Sequence, residues 1–356
     1  MLRIILTGGG TGGSVAPVLA VSEEIKKQKP DAEFLFVGTR KGIPERELVQ
    51  IRDIPYKSIF SGKLRRYISL KNIIDLFLIL IGFIQSVFLI LKFKPRAVFS
   101  AGGFVAVPLA AAAWFLRIPI FIHQQDIVPG LANKIIAPLA KRVTVSFEKS
   151  LKNFHKKKTI LTGNPVRPEI LQGDKEKAIK RFQLEENIFT LLIIGGGTGS
   201  RDLNELVIQI IPELVAFCQV VHLTGKSKAV KDERLNFSRY RQMEFLTEGM
   251  PDLYQAADLV VSRAGLGVLT ELSVLKKPLI LIPIPDSHQV ANAEYFAEKK
   301  AAVLVGQKGL TPQILLQKIR QMIFSIDERS VLSFNISKLA RPEAARKITE
   351  IILKNI

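Results

Sequence analysis

A glycine-rich hexapeptide occurs twice in this chain, and each copy follows a short apolar run. The first copy is Gly8-Gly-Gly-Thr-Gly-Gly13 after Arg3–Thr7, and the second is Gly195-Gly-Gly-Thr-Gly-Ser200 after Phe189–Ile194. A buried strand that ends in glycines and leads into a helical pattern is typical of parallel α/β sheets, where such a loop binds a ligand. The two copies therefore predict two similar α/β halves.

The segment between the halves has the composition of a linker. Residues 156–168 contain two prolines and a glycine among many polar side chains. We predict an α/β chain of two facing Rossmann-like domains, made of residues 1–163 with 339–356 and of residues 164–338. The patterning also predicts a strand at Glu244–Leu246 and a final amphipathic helix at Lys338–Ile356.

The first glycine loop fits the dinucleotide-binding pattern G-x-G-x-x-G only formally. A site for NAD needs an acidic residue at the end of the next strand, but Glu33–Val37 is followed by Gly38-Thr-Arg-Lys41. Arg40 and Lys41 leave an NADP-dependent oxidoreductase open, because both could contact a 2′-phosphate. A tight strand-to-helix turn without a ligand stays open as well.

Residues 258–298 predict a strand, a glycine turn, a helix, a strand, a loop and a further helix. Two helix N-termini then lie near neighbouring strand ends, where unpaired N–H groups and the helix dipole attract phosphate. Glu271 falls one turn inside the first helix, where a carboxylate is suited to accept hydrogen bonds from a ribose diol. The alternative role for Glu271 is to complement the helix dipole.

Residues 73–91 form an almost wholly apolar stretch that is long enough to cross a bilayer. Polar side chains interrupt it, and the strands on both sides belong to one sheet, so we expect a helix with an exposed apolar edge that dips into a membrane interface. The formal net charge of +19 favours an anionic membrane surface as partner. A buried core helix is the alternative. The flanking basic residues are Lys63, Arg65, Arg66, Lys71, Lys92, Lys94 and Arg96.

Composition excludes several other classes of protein. With 47% hydrophobic and 23% charged residues, the chain is globular. Aromatic side chains do not alternate with basic ones as stacking platforms would, so no nucleic-acid partner is expected. Cys218 is the single cysteine, which rules out an internal disulfide, and no signal peptide precedes the first loop. No Asp-x-Asp pair and no zinc-type spacing occurs, so no metal is expected.

Several motifs taken together resemble glycosyltransferase family 28. No single motif is specific, but in their order they cover nearly the whole chain. The resemblance implies a fold of the GT-B type, with the nucleotide sugar bound mainly by the second domain and the final helix returning to the first. The motifs are the loop at 8–13, Gly130-Leu-Ala-Asn-Lys134, Gly163-Asn-Pro-Val-Arg167, Ser262-Arg-Ala-Gly265, Thr270-Glu271, Pro283 and Asp286-Ser-His-Gln-Val-Ala-Asn-Ala293.

The activity that the resemblance implies is an inverting, metal-independent sugar transfer without a cofactor. N-acetylglucosamine passes from UDP-N-acetylglucosamine to the muramyl 4-hydroxyl of lipid I, the undecaprenyl-pyrophosphoryl-MurNAc-peptide, and gives lipid II for peptidoglycan synthesis. The enzyme is then peripheral, at the cytoplasmic face of the bacterial plasma membrane. A related family 28 transferase with another acceptor and a catalytically impaired UDP-sugar-binding paralogue are the alternatives.

The resemblance also implies a set of substrate-binding residues, carried over position by position from the matching motifs. These are Thr11, Gly12 and Gly13 on the diphosphate side, Arg167 and Leu246 at the nucleotide, Gly197 in the second glycine loop, Glu271 at the ribose, Gln289 at the sugar hydroxyls, and Asp126.

The chain departs from the family pattern mainly on the acceptor side. Ser14 stands where the family has histidine, and Phe104 stands where a tyrosine is usual. The family segment H-E-Q-N is His123-Gln-Gln-Asp126 here. In the second half, Gly197 lacks the hydroxyl that the family has in its glycine loop. The donor is therefore better specified by the sequence than the acceptor.

The catalytic base is consequently open. Ser14 cannot act unaided, because an unactivated hydroxyl has no useful proton affinity near neutral pH. Asp126 is the carboxylate at the end of a strand that leads to the same site, so we expect it to act as base through a water held by Ser14. His123 is the second candidate. The alternative is that Asp126 caps the turn at Pro129-Gly130 and the proton passes to solvent.

Overall fold

The chain forms two compact α/β units in a computed structural model, which describes residues 1–9, 12–40, 42–62, 71–196, 199–230, 232, 235–246 and 248–356. Unit 1 comprises residues 1–167 and 341–356, and unit 2 comprises residues 168–340. The chain therefore passes from unit 1 into unit 2 and returns to unit 1 near its end.

In the part of the chain that the structure describes, unit 1 is built on seven parallel strands in the order β3-β2-β1-β4-β5-β6-β7. The strands are β1 Arg3–Thr7, β2 Glu33–Gly38, β3 Tyr56–Ser58, β4 Ala97–Ser100, β5 Ile120–Gln124, β6 Arg142–Val145 and β7 Thr159–Leu161. The helices are α1 Gly12–Gln28, α2 Ile43–Gln50, α3 Lys71–Phe93, α4 Ala106–Phe115, α5 Leu131–Ile136, α6 Glu148–Leu151 and, at the end of the chain, α15 Ala344–Lys354.

Helices cover both faces of this sheet, and each face buries its own core. On one face, Ile5 and Val98 pack with apolar side chains of α4. On the other face, Ile4 packs with side chains of α1 and with Ile348 and Ile352 of α15. Because these strands are buried on both faces, they appear in the sequence as continuous apolar runs without polar alternation.

The final helix is shorter than the sequence pattern predicted. In place of one helix over Lys338–Ile356, a helix of unit 2 ends at Leu339 and α15 begins at Ala344. Pro342 lies between them and cannot continue a helix, because it lacks a backbone N–H group. Helix α15 packs against α1, so the predicted return of the final helix to the first domain is confirmed.

Helix α3 contains the apolar stretch 73–91 and lies largely exposed on unit 1. Over Ile74–Phe93 its mean hydropathy of 2.5 and its length suit a membrane span, yet only 17% of its most apolar window is buried. Its inner side packs on α4, where the rings of Phe83 and Phe115 meet at 6.1 Å. The alternative of a buried core helix is therefore wrong. The exposed large side chains are Ile74, Leu76, Phe77, Leu80, Ile81, Ile84, Phe88 and Leu91.

Within its described residues, unit 2 is built on six parallel strands in the order β10-β9-β8-β11-β12-β13. The strands are β8 Thr190–Ile194, β9 Gln219–Leu223, β10 Tyr240–Met243, β11 Leu259–Ser262, β12 Leu279–Leu281 and β13 Val303–Leu304. The helices are α7 Lys175–Phe182, α8 Arg201–Ile208, α9 Ile211–Leu214, α10 Met250–Ala256, α11 Leu266–Val274, α12 His288–Glu298, α13 Pro312–Phe324 and α14 Ile326–Leu339.

The strand predicted at Glu244–Leu246 is wrong by about one strand length. Strand β10 is Tyr240–Met243, which pairs with β9, and Glu244–Leu246 follow it as a loop. The Tyr240 side chain is part of the buried core, whereas Phe245 is 57% exposed. The burial of Tyr240 therefore fixes the position of the strand, whereas the apolar pair after Glu244 had indicated a strand at Glu244–Leu246.

Both sheets have a switch point at which the strand order reverses. In unit 1 the first strand, β1, lies between β2 and β4, and in unit 2 the corresponding strand, β8, lies between β9 and β11. Helices on the two sides of such a point cover opposite faces of the sheet, which leaves a crevice at the carboxyl ends of the strands. The α/β fold class with two Rossmann-like units is confirmed, and each glycine loop lies at a switch point.

Candidate active site

Unit 1 holds two glycine turns in backbone contact at its switch point. The first turn follows β1 and leads into α1, and the second, Gly102-Gly103, follows β4. Gly103 has a φ of +89°, and a Cβ atom there would lie 2.5 Å from the carbonyl oxygen of Gly9. Only glycine satisfies both conditions. The two turns therefore form one continuous backbone surface at the ends of β1 and β4.

The residues predicted to line a diphosphate lie where α1 begins. The helix starts at Gly12, so Gly12, Gly13 and Ser14 belong to its first turn, whose N–H groups have no acceptor within the helix. Gly13 is exposed, and the Ser14 hydroxyl donates to the carbonyl oxygen of Gly9 across 3.5 Å. Thr11 lies outside the described residues. The first turn of α1 has the geometry of an anion-binding site.

His123 is buried, and both of its ring nitrogens have partners. Nδ1 lies 3.0 Å from the Thr144 hydroxyl, and Nε2 lies 3.0 Å from Oδ1 of Asn164 and 3.3 Å from the Ser146 hydroxyl. Burial lowers the pKa of His123 to about 4. The imidazole is therefore neutral near pH 7 and held by its neighbours. This arrangement favours a structural role over the role of second candidate base.

Asp126 lies in the loop after β5 and is half-buried. The Gln124 side-chain amide donates to its backbone carbonyl at 2.8 Å. Asn133 of α5 in turn donates to Oε1 of Gln124 at 2.8 Å and to the backbone carbonyl of His123 at 3.1 Å. A Cβ atom at Gly102 would lie 3.3 Å from Oδ1 of Asn133. Amide hydrogen bonds thus tie the loop of Asp126 to Asn133, which lies beside Gly102 of the second glycine turn.

Three helices of unit 2 begin at the carboxyl ends of neighbouring strands. Helix α8 follows β8, α11 follows β11 and α12 follows β12. The hydroxyls of Ser200 and Ser287 cap α8 and α12. A Cβ atom at Gly196, Gly265 or Gly267 would meet nothing within 4 Å, so the backbone there borders open space. The positive ends of several helix dipoles are therefore accessible to an anionic ligand.

Arg263 is a cation buried at the switch point of unit 2, with 2% of its surface exposed. It donates to the Ser200 hydroxyl, to the carbonyl oxygen of Ile282 at 2.9 Å and to Oε1 of Gln307 at 2.6 Å. Gln307 donates to Asp202 at 2.9 Å. Burial lowers the pKa of Arg263, and Asp202 opposes the shift, yet a guanidinium remains charged near neutral pH. In the sequence Arg263 appears only as part of a motif, and no spacing there predicts that its charge is buried.

Glu271 is a buried carboxylate in the second turn of α11, with 8% of its surface exposed. The Tyr254 hydroxyl donates to its Oε2 atom at 3.2 Å and orients it. The dipole of a helix acts mainly within its first turn, and α11 has no acidic residue there. The position and its tyrosine partner therefore favour ligand binding over the alternative of dipole complementation.

The other predicted donor-binding residues lie on separate loops. Gln289 lies in the first turn of α12, and its Oε1 atom accepts from the backbone N–H of Ile284 at 3.1 Å. Leu246 is half-buried in the loop after β10, beside the exposed ring of Phe245, which the sequence analysis did not single out. Arg167 is half-buried at the end of the first segment of unit 1. Gly197 lies outside the described residues, as does Lys41 of the NADP hypothesis.

His222 is connected to the second glycine loop through a chain of buried hydrogen bonds. Its Nδ1 lies 3.0 Å from the Tyr240 hydroxyl and its Nε2 lies 3.1 Å from Oδ1 of Asn204, and burial lowers its pKa to about 3. Asn204 donates to the carbonyl oxygen of Thr224 at 3.0 Å. That carbonyl packs against Gly199, which has a φ of +69°. His222 is thus a neutral structural residue and does not border the open region.

Among the residues that the structure describes, no group of three His, Cys, Asp or Glu side chains is arranged to hold a metal ion. The charged and polar groups at the two switch points are instead helix termini, Arg263, Glu271 and Asp126.

Comparison with known proteins identifies the family. The model of the glycosyltransferase family 28 N-terminal domain matches residues 4–145, and that of the C-terminal domain matches residues 190–346. The chain is 41% identical to the UDP-N-acetylglucosamine–N-acetylmuramyl-(pentapeptide) pyrophosphoryl-undecaprenol N-acetylglucosamine transferase of Clostridium botulinum, over 99% of each chain. It is 39% identical to the transferase 2 of the same name from Bacillus anthracis, over 90% of this chain and 92% of the relative.

Solved structures agree on the fold. MurG from Acinetobacter baumannii superposes with a TM-score of 0.76 at 24% identity and covers 99% of this chain and 100% of its own. The UDP-GlcNAc 2-epimerase of Neisseria meningitidis bound to UDP-GlcNAc gives 0.71 at 14% identity, with 99% and 100% covered. The fold is thus of the two-domain GT-B type.

The chain belongs to glycosyltransferase family 28, and it is a hexosyltransferase. This membership confirms the resemblance drawn from the motifs and removes the NADP-dependent oxidoreductase from consideration.

Glu271→Ala should weaken the binding of UDP by roughly 1.5 to 3 kcal/mol, the range for a lost hydrogen bond to a charged group. Titration calorimetry of UDP with the wild type and the variant measures this difference. Glu294→Ala removes an exposed carboxylate from α12 and serves as the control. An affinity that stays the same in both variants would show that Glu271 does not contact the ribose.

Proposed function

We propose that this chain transfers N-acetylglucosamine from UDP-N-acetylglucosamine to the muramyl 4-hydroxyl of lipid I and produces lipid II for peptidoglycan synthesis. The observation that carries the proposal is the 41% identity, over 99% of both chains, with a transferase whose name states this donor sugar and this class of acceptor. At that coverage neither unit lacks a counterpart in the relative.

Unit 2 binds the donor in this proposal. The diphosphate lies at the N-termini of α8, α11 and α12, and the charge of Arg263 adds to their positive ends. Glu271 accepts from the ribose hydroxyls, Gln289 contacts the sugar, and Leu246 faces the uracil. As the glycosidic bond breaks, negative charge develops on UDP, and these fixed groups stabilise it without rearrangement. Donor binding without a divalent cation follows from this arrangement.

Unit 1 binds the acceptor. The first turn of α1, with Gly12 and Gly13, receives the pyrophosphate of lipid I. The attacking hydroxyl must lose a proton, and Asp126 lies at the same sheet edge. Ser14 holds the water through which that proton passes. His123 is unsuited to the task, because burial lowers its pKa and both of its ring nitrogens already have hydrogen-bond partners.

Unit 1 also contacts the membrane, through a surface that we name the α3 patch: the exposed side chains of α3 with Trp114 and Phe115. Trp114 is 59% and Phe115 66% exposed, and α3 and α4 pack together. The exposed cations Lys92, Lys94 and Arg96 lie at the end of α3. Lys63, Arg65 and Arg66 lie outside the described residues, as do the side-chain surroundings of Lys71. An apolar surface with basic neighbours suits an anionic lipid interface.

Turnover tests the proposal. Purified protein with lipid I, radiolabelled UDP-N-acetylglucosamine and EDTA should yield labelled lipid II, and the donor alone should raise the melting temperature. Stabilisation by UDP-N-acetylglucosamine without turnover on lipid I would assign the chain another acceptor or an impaired catalytic centre. Equal stabilisation by several UDP-sugars, or an absolute need for magnesium, would contradict the donor assignment.

Asp126→Asn is the substitution that tests the base, because asparagine keeps the shape and hydrogen-bonding capacity of the side chain but not its basicity. Turnover should fall by about 10²-fold or more, within the usual range for general base catalysis. The affinity for UDP-N-acetylglucosamine should stay unchanged, since Asp126 lies in unit 1. Turnover close to that of the wild type would instead mean that the proton passes to solvent.

Binding to vesicles tests the α3 patch. The protein should sediment with vesicles of phosphatidylglycerol at low salt and less so at high salt, because salt screens the basic residues. Changing Phe77, Leu80 and Phe88 together to serine should abolish sedimentation while donor binding persists. A control triple variant changes Phe324, Ile326 and Phe334, which are equally exposed on unit 2. If both variants sediment like the wild type, α3 is not the membrane contact.

A further inference from the structure

Glu45 is a buried carboxylate that the proposed mechanism does not use. It lies in the first turn of α2, and 2% of its surface is exposed. Its Oε1 atom accepts from the backbone N–H of Thr39, from the Thr39 hydroxyl at 2.6 Å and from the Tyr56 hydroxyl at 2.6 Å. An ionisable group is rarely buried to this extent without a specific use. The donors come from the loop after β2 and from β3, so the carboxylate joins three elements.

The same carboxylate lies against the first glycine turn. A Cβ atom at Gly9 would lie 3.3 Å from Oε2 of Glu45 and 2.7 Å from Cγ1 of Val105. A Cβ atom at Gly38 would lie 2.7 Å from Oε1 of Glu45, and one at Gly42 would overlap the carboxylate itself. Because Gly9, Gly38 and Gly42 have no side chains, the Glu45 carboxylate fits between them and their backbone can lie close to it.

Gly9 consequently has neighbours from several elements. Glu45 and Val105 border the place where its side chain would be, and the backbone of Gly103 from the second glycine turn lies close to its own backbone. The Ser14 hydroxyl donates to the carbonyl oxygen of the same residue. Glu45 and Val105 therefore fill the space beside Gly9, and loss of the Glu45 side chain would leave a gap next to the turn.

The partners of Glu45 are themselves fixed. The Tyr56 ring stacks on Phe36 of β2 with centroids 5.7 Å apart, and the guanidinium of Arg46 lies 5.1 Å from its centroid. Burial and the hydrogen bond to Glu45 raise the pKa of Tyr56, so its hydroxyl keeps its proton and donates at any physiological pH. The hydroxyl also lies 2.6 Å from the carbonyl oxygen of Thr39.

We propose that Glu45 is a positioning residue for the acceptor substrate: held by Thr39 and Tyr56, it supports the first glycine turn so that the first turn of α1 is oriented toward the pyrophosphate of lipid I. The inference deepens the proposed function and rests on it for the identity of the acceptor. Glu45 does not contact substrate in this role, and it acts only through Gly9. The role requires a side chain of this length that ends in an oxygen able to accept hydrogen bonds, and glutamine also provides one.

Steady-state kinetics separate positioning from plain stability. Glu45→Ala should raise KM for lipid I by about tenfold, because a misoriented first turn of α1 loses roughly one hydrogen bond to the charged pyrophosphate, and KM for UDP-N-acetylglucosamine should stay unchanged. Glu45→Gln should restore KM for lipid I, because its carbonyl oxygen can accept the same hydrogen bonds. Tyr56→Phe keeps the stacking on Phe36 and removes one donor, and it should give a smaller rise. Ser22→Ala, which removes a buried hydroxyl bonded to Leu19 at 2.8 Å in α1, is the control.

Hydrogen exchange gives a readout that does not depend on turnover. The backbone amides of residues 8–14 should exchange faster in Glu45→Ala and Tyr56→Phe than in the wild type, Glu45→Gln or Ser22→Ala. If the wild type fails to use lipid I, the proposed function is wrong, but this measurement still decides whether Glu45 supports the turn. If Glu45→Ala does not fold, Tyr56→Phe decides in its place. Unchanged exchange in both, or equal rises in both KM values, would overturn the proposal.

Discussion

This molecule depends on hydrogen bonds that ligands can accept from the backbone N–H groups at the start of a helix, because these groups have no acceptor within the helix. Parallel strands direct all their carboxyl ends, and the helices that follow, to one edge of a sheet. At a switch point the neighbouring helices leave on opposite faces, so that these N–H groups are not covered. Both units have this arrangement, at β1 and β4 and at β8 and β11. UDP-N-acetylglucosamine and lipid I share a pyrophosphate group, so the same arrangement suits both substrates of the proposed reaction.

The two units nevertheless differ in the charged group that each buries near its switch point. Unit 2 adds the buried guanidinium of Arg263, which has no carboxylate bonded to it directly among the described residues and reaches Asp202 only through Gln307. Unit 1 instead buries the carboxylate of Glu45 beneath its glycine turn. A positive centre suits the product that departs with extra negative charge. The buried guanidinium therefore supports the proposed assignment of the donor to unit 2.

The sequence predicted the fold because its signals are local. Strand, glycine loop and helix follow one another within about twenty residues, so periodicity alone identifies them. The errors arise where a distant contact decides. Phe245 and Leu246 look like a strand, but it is the burial of Tyr240 against the core that sets the position of β10. Pro342, by contrast, was a local signal for the break before α15 that the amphipathic pattern concealed. The partners of Arg263 and Glu45 come from separate loops, and no spacing in the sequence announces them.

The return of the chain to unit 1 has a consequence for biosynthesis. Ile348 and Ile352 of α15 are fully buried in one of the two cores of unit 1, beside side chains of β1 and α1. Domains generally fold as they leave the ribosome, the N-terminal one first. Here the part of this core that Ile348 and Ile352 cover stays exposed until the whole of unit 2 has been translated, so unit 2 can complete its own core before unit 1 does. The nascent unit 1 therefore exposes apolar surface of β1 and α1 for the entire time that unit 2 is being synthesised.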